Sequence, residues 1–405
     1  MTQRPKTARS RAARPTLEGL EARALLSDIS AAHAEVSAVH AHPTSQSILQ
    51  NLTPLLTATT VAANGNGDNN PYGVAFIPKD FPAGGKLKPG DILVSNFNST
   101  STGMSVQATG RSIVSIDPAG KTTTFFQGTP PLGLNTALGV LPGGFIIVGN
   151  TPRTTDANGT PTVAPGSLLI LDRFGNVVET LSAPNYNLDG PWGLTIVNQG
   201  STSHVFVSNV LDGTVTRIDM TPSRHGPPWK VMHATVVASG YKFGTNPAAL
   251  VVGPQGLAFD ALRHVLYVAS TADNAIFTVL HPLRATSSSE PPGPGTVFVP
   301  PTDVHLNGPL SLALAPNGHL LVTNGDAILL NAPPPLFNLI LEYQPPRGRA
   351  TTGMGTFVAQ QQIDTGVAGA AFGLAIGSTR DHNQILAAVD DNSNSLIEWT
   401  IKKIK

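Results

Sequence analysis

The chain holds few side chains whose type and spacing could do chemistry. It has no cysteine, which excludes disulfides, thiolate zinc sites, iron-sulfur clusters and thiol nucleophiles. Its 11 histidines include no H-E-x-x-H motif and no H-x-H pair on a strand, and neither G-x-S-x-G nor a phosphate-binding P-loop occurs. His33, His40 and His42 lie close together, but in an Ala/Ser-rich stretch where solvated side chains are expected rather than metal ligands. Asp390-x-Asn392-x-Asn394 begins like a calcium loop, yet Ser395 and Ile401 stand where such a loop needs Gly and Glu. Gly65 to Asn70 is oxygen-rich and reads as a connector. His264 and His319 sit beside strands; each is either a general base or, as is commoner, a solvated loop histidine.

The elements that would position any site follow from composition and periodicity. Lys plus Arg and Asp plus Glu number 25 each and charged residues are 12% of the chain, about half the usual quarter. A nucleic-acid partner is therefore not expected. With 40 Gly and 35 Pro against 40% hydrophobic residues, the chain has many turns and enough apolar side chains for a core, which excludes disorder over most of its length. Apolar runs such as Phe145 to Val148 stop after about five residues, far short of a transmembrane span. The Pro-rich stretches 291–294 and 333–335 read as loops between strands.

A repeat organises the chain from residue 52 onward. Six segments share a turn, a Gly-type anchor and alternating apolar residues: Asn70-Pro-Tyr-Gly-Val-Ala-Phe76, Thr136-Ala-Leu-Gly-Val-Leu141, Gly190-Pro-Trp-Gly-Leu-Thr-Ile196, Gly253-Pro-Gln-Gly-Leu-Ala-Phe259, Gly308-Pro-Leu-Ser-Leu-Ala-Leu314 and Ala370-Ala-Phe-Gly-Leu-Ala-Ile376. The anchors Gly73, Gly139, Gly193, Gly256, Ser311 and Gly373 are 66, 54, 63, 55 and 62 residues apart. Each is followed by a short apolar run ending in a small residue and, in most units, Asn, as in Asp91-Ile-Leu-Val-Ser-Asn96. Runs this short, bounded by turn residues, are strands. The spacing predicts an all-β fold, a six-bladed β-propeller of four-stranded antiparallel blades. The last unit has only three strands before the C-terminus, so the β-prone segment 52–62 is expected to complete the last blade and close the ring.

A propeller gathers the starts of its innermost strands around one mouth of a central channel. The residues directly before the anchors are Tyr72, Leu138, Trp192, Gln255, Leu310 and Phe372. Tyr72, Trp192 and Phe372 with Gln255 form either an aromatic collar for a carbohydrate or other small amphipathic ligand, or a set of side chains that packs between blades. The strand ends Asn96, Asn150, Asn209, Asn324 and Asp390 either ring the channel as polar groups or, as Asn after a strand usually does, close local turns.

The repeated P-x-G-[VL]-[AT]-[FIL] pattern with its second apolar strand resembles the NHL-repeat class of six-bladed propellers, and more loosely the gluconolactonase and senescence-marker families. The resemblance covers residues 52–405 and implies the fold more than a function. In the calcium-dependent lactonases it implies metal ligands directly before several anchors. One amide and no carboxylate there cannot supply the six to eight oxygens that calcium takes, so neither a metal nor a cofactor is expected.

Residues 1–17 carry Arg4, Lys6, Arg9, Arg11 and Arg14 and no acid, leaving 20 basic against 25 acidic groups in the other 388 residues. Arg14-Pro-Thr-Leu-Glu-Gly-Leu-Glu-Ala-Arg-Ala-Leu-Leu-Ser27 lacks the apolar core of a secretory signal. It resembles the R-P-x-L-E-x-L-E-x-R-x-L-L-S leader of exported planctomycete-type proteins, which implies an extracellular or cell-surface location. The expected organisation is a basic leader over 1–27, a disordered Ala/Ser/His linker over 28–50 and the propeller over 51–405. The expected role is a monomeric, non-enzymatic module that binds a protein or a carbohydrate. The rival is a hydrolase or lyase of the propeller type with a divergent channel site.

Overall fold

The computed structural model describes residues 46–62, 67–100, 103–223, 228–286, 292–326, 337–346, 353–378 and 383–402. The leader and most of the linker therefore lie outside the described residues. From Ser47 onward the chain forms six four-stranded antiparallel sheets, the blades of a propeller. Blade 1 comprises Asp68–Phe76, Ile92–Ser99, Ser112–Ile116 and Thr122–Gln127; blade 2 comprises Leu134–Leu141, Phe145–Asn150, Ser167–Leu171 and Val177–Ser182. Blade 3 is Pro191–Gln199, Thr202–Asn209, Thr214–Pro222 and Trp229–Ser239, and blade 4 is Pro254–Asp260, Val265–Ser270, Ala275–Leu280 and Thr296–Val299. Blade 5 is Pro309–Leu314, Leu320–Asn324, Leu339–Gln344 and Thr356–Gln362. Blade 6 is Ala371–Ser378, Gln384–Asp390 and Ser395–Ile401, completed on its outer edge by Leu52–Thr59. That strand runs antiparallel to Ser395–Ile401, from Leu52 opposite Ile401 to Thr59 opposite Ser395, so the two ends of the chain share one sheet.

The core lies between the blades, because successive side chains of a strand point to opposite faces and each face meets a neighbour. In blade 1, Leu93 and Ile113 pack with Leu134, Ile146 and Leu169 of blade 2, while Val94 and Val114 share a cluster with Ala387 and Val389 of blade 6.

The repeated Gly and small residues rivet blade to blade. The Gly73 amide donates to Ser95 Oγ, which donates onward to the Asn135 carbonyl of blade 2 at 2.7 Å. The Gly193 amide and Ser208 Oγ do the same toward the Gln255 carbonyl of blade 4, and Ser311 and Thr323 toward the Phe372 carbonyl of blade 6. Any Cβ on Gly193, Gly256 or Gly373 would collide with the carbonyl oxygen of Gln255, Leu310 or Tyr72 in the next blade. The glycines are there because two backbones approach too closely for a side chain.

Three sequence expectations need correction. Blade 2 carries one extra residue in its innermost strand: Leu134 pairs with Asn150 and Leu138 with Val148, whereas Pro71 pairs with Asn96 and Val74 with Val94 in blade 1. The residue equivalent to Tyr72 is therefore Asn135, not Leu138, and Gly139 is not an anchor. The propeller also starts before 51. Ser47, Ile48 and Leu49, assigned above to the linker, are buried. They are held by Glu342 of blade 5, which accepts from Ser47 Oγ at 2.6 Å and from the Ile48 and Leu49 amides at 2.9 and 3.1 Å. His319, expected in a solvated loop, is fully buried with Nδ1 2.6 Å from Glu342 Oε1.

Candidate functional site at the channel mouth

A narrow cavity lined by residues of all six blades, among them Val74, Leu138, Leu194, Leu257, Leu312 and Leu374, marks the central channel. Each of these six pairs with the second-strand residue two before Asn96, Asn150, Asn209, Ser270, Asn324 or Asp390. They are one position repeated six times, a ring of branched aliphatic side chains. The cavity they leave is about 50 Å³. That suits a water or two and falls far below the roughly 150 Å³ of a cavity that accepts benzene.

Above this ring, at the strand starts, the expected aromatics do meet. Tyr72 lies 4.4 Å from Phe372 and 6.2 Å from Trp192, ring centre to ring centre. Phe97, which follows the second strand's Asn96, stacks on Tyr72 at 4.5 Å and meets Trp192 edge-on at 5.4 Å. Sequence reasoning missed Phe97 because the second strand of blade 1, read from the sequence as ending at Asn96, continues through Phe97 to Ser99. Offset and edge-to-face contacts of this kind are how aromatic rings fill a core. Tyr72, Trp192, Gln255 and Phe372 are all buried. The collar therefore closes the channel with its own rings.

The polar strand ends are engaged in local hydrogen bonds. Asn150 accepts from the Gly133 amide and donates to Ser167 Oγ. Asn209 accepts from the Asp189 amide and donates to Thr214 and Thr216. Asn324 accepts from the Asn307 amide and donates to the His305 carbonyl. Each thus ties the loop that enters its own blade to the end of the second strand. Asn96 donates to Ser112 Oγ and to the Thr60 carbonyl, and Asp390 accepts from the Asn392 amide within its turn. Asn150, Asn209 and Asn324 thus form a repeated structural bracket.

One ionisable group at the mouth keeps a buried carboxylate oxygen without a hydrogen-bond partner. Asp326, two residues past Asn324 in blade 5, is buried, and burial pushes its carboxyl up to about 7, against a smaller opposing pull from the nearby Gln255 amide. Gln255 spends its Oε1 on Thr271 at 2.7 Å. Its Nε2, Asp326 Oδ2 and Trp192 Nε1 are buried without a hydrogen-bond partner. Asp391, in the corresponding turn of blade 6, is also pushed up to about 7, by burial first and then by neighbouring Asp390. Burial above all, with both aspartates adding, drives the Tyr72 hydroxyl well above its ordinary value.

These donors do not fit a calcium ion. The Asn135 amide is spent on Ala137, Thr151 and Pro191, and Gln255 Oε1 is taken. Asp326 Oδ2 is free, but a single oxygen falls far short of the six to eight that calcium requires. Among the described residues, no three His, Cys, Asp or Glu side chains gather around a common point, and no helix is long and apolar enough to cross a membrane.

A scan against protein-family models finds no match, and a search of curated proteins finds none. Among solved structures, the fold is similar to a streptogramin B lyase, at 14% identity over 88% of this chain and 100% of that one, with a TM-score of 0.45. It is similar to the calcium-binding protein regucalcin of Agrobacterium tumefaciens, at 11% identity over 87% of this chain and 97% of that one, TM-score 0.47. It is also similar to a gluconolactonase of Xanthomonas campestris, at 13% identity over 87% and 97%, TM-score 0.43. At such identities and TM-scores the likeness carries nothing about activity over to this chain.

Proposed function

We propose that this chain is an NHL-like binding propeller, exported or surface-located as its leader resemblance implies, which engages a protein or glycan through its rim and loops rather than through catalysis in the channel. The observation that supports this most is the filled channel: six aliphatic side chains leave about 50 Å³, and Tyr72, Phe97, Trp192 and Phe372 stack across the mouth. A sugar lactone has no place to sit between them.

The rival enzymatic reading draws on one observation, the Asp326 carboxyl held near 7 with an unpartnered oxygen, a combination also met in acid-base catalysts. One assay separates the two. Full-length protein is incubated with a panel of aldonolactones, with calcium, magnesium or zinc and with chelator, while ring opening is followed by proton release. The binding reading expects no rate above background, together with retention of the protein on a glycan or protein array. Metal-dependent turnover that disappears in Asp326→Asn would overturn it.

A further inference from the structure

A second cavity, of about 210 Å³, lies at the junction of blades 1 and 2. It is formed by the loop between the second and third strands of blade 1 (Ala108, Thr109, Arg111), the connector into blade 2 (Pro130, Pro131, Leu132) and the corresponding loop of blade 2 (Pro152, Arg153). In an antiparallel blade these loops emerge on the same face as the starts of the innermost strands. The walls are held by backbone hydrogen bonds: the Arg153 amide to the Ala108 carbonyl, the Leu134 amide to Gly110, and the Gly128 amide to Arg111. The shape is thus set before anything enters it.

The chemistry of the lining is unusual for a surface with so few charges. Three prolines, Leu132 and Ala108 make it mostly apolar, and the two charged residues that line it are both arginines. Neither guanidinium has a carboxylate within ion-pairing distance among the described residues. Arg153 makes only a long 3.4 Å hydrogen bond to the Gln107 carbonyl. The nearby acid, Asp68, is buried; its Oδ2 accepts from the Arg111 main-chain amide and from Gln127, and its Oδ1 has no hydrogen-bond partner, so neither oxygen bonds a guanidinium. Two unneutralised forks at the rim of an apolar pocket match a carboxylate, which a guanidinium binds with two parallel hydrogen bonds. A dry apolar cavity of about 150 Å³ accepts benzene, so this one has room for a ring-sized or branched apolar body as well.

We propose that the pocket binds a carboxylate carried on a compact apolar body, with Arg111 and Arg153 holding the carboxylate and the prolines and Leu132 packing the body. This deepens the binding-propeller reading by naming a ligand chemistry, and two sources could supply it: a small organic acid, or the C-terminus of a peptide ending in an apolar residue.

Titration calorimetry on the full chain tests it with phenylacetate, with a Gly-rich hexapeptide ending in Phe with a free carboxylate, and with the same peptide amidated. Saturable binding of the acid or of the free peptide is expected, about tenfold or more tighter than the amide, since a charge-assisted hydrogen bond is at stake. Arg111→Gln and Arg153→Gln are each expected to weaken it about tenfold. Arg153 is exposed and Arg111 half-exposed, so thermal unfolding of both variants should match the parent. Binding of phenylacetate points to a small acid; binding of the peptide alone points to a chain terminus. The proposal is overturned if neither ligand saturates, if the amide binds as well as the acid, or if the double variant keeps its affinity. Lactone turnover would sink the binding-propeller reading and leave this result standing, whereas failure here leaves the filled channel unaffected.

Discussion

Replacing Asp326 by Asn should make the protein more stable, and increasingly so as the pH rises. A carboxyl moved by burial from its ordinary 3.8 to about 7 resists ionisation in the folded state, and such a displacement is worth about 4 kcal/mol. Because the folded value lies above the unfolded one, stability is highest when both states are protonated. It falls as the unfolded chain ionises above about pH 4, and the loss is complete above pH 7, where the folded protein holds an unpaired buried charge. Asn keeps the shape and removes the charge. The gain over the parent should therefore be between about 1 and 2 kcal/mol at pH 5 and approach about 4 kcal/mol at pH 8. Other acids with raised values, such as Asp391 and Glu398, titrate in both proteins and cancel in the difference. Urea unfolding at pH 5, 6, 7 and 8, followed by the fluorescence of the buried Trp192, gives both curves. A gap that stays flat, shrinks with pH or reverses sign would refute the reasoning, because the carboxylate would then have a partner in solution that stabilises its charge. Repeating the pH 8 measurement with calcium and with chelator would identify a cation in that role.

Two further substitutions test what holds the ring together. Glu342→Gln should cost about 3 kcal/mol, as breaking a buried charged network does, and should speed amide exchange in Leu52–Thr59 ahead of the rest of the propeller. Burial alone would raise Glu342, but hydrogen bonds from His319, Ser47 and the Ile48 and Leu49 amides outweigh it and hold the carboxyl below its ordinary value. This contribution should therefore vanish as the pH falls through and below that value, loosening the N-terminal strand first in acid. Gly373→Ala drives a methyl into the Tyr72 carbonyl where blade 6 meets blade 1 and should destabilise by about 3 kcal/mol or more. Gly244→Ala, with open space around it and no left-handed backbone, should be neutral within about 0.5 kcal/mol in the same thermal or urea assay.

The parts of this fold legible in the sequence are those that every blade must repeat. Gly193, Gly256 and Gly373 recur because three of the joints bring a backbone against a backbone, and Ser95, Ser208 and Thr323 recur because each carries the same rivet to a carbonyl in the next blade. The outer strand of blade 6 was legible by subtraction, since an open ring would leave two unpaired edges. What was hidden is what depends on the closed circle. Whether Leu194 and its five counterparts fill the channel or merely line it follows from ring diameter, which no local pattern encodes. The Ser47–Glu342 contact joins residues 295 apart, with no periodicity to announce it. The register error at Gly139 arose because blade 2 has one extra residue and no P-x-G. This division also says where individuality resides. Anchors and rivets recur from blade to blade and so cannot distinguish one propeller from another, whereas Asp326, Arg111 and Arg153 stand where the pattern lapses or in loops it does not govern. A side chain kept at such a place is not needed to close the ring, and it is there that a ligand specific to this chain should make its contacts.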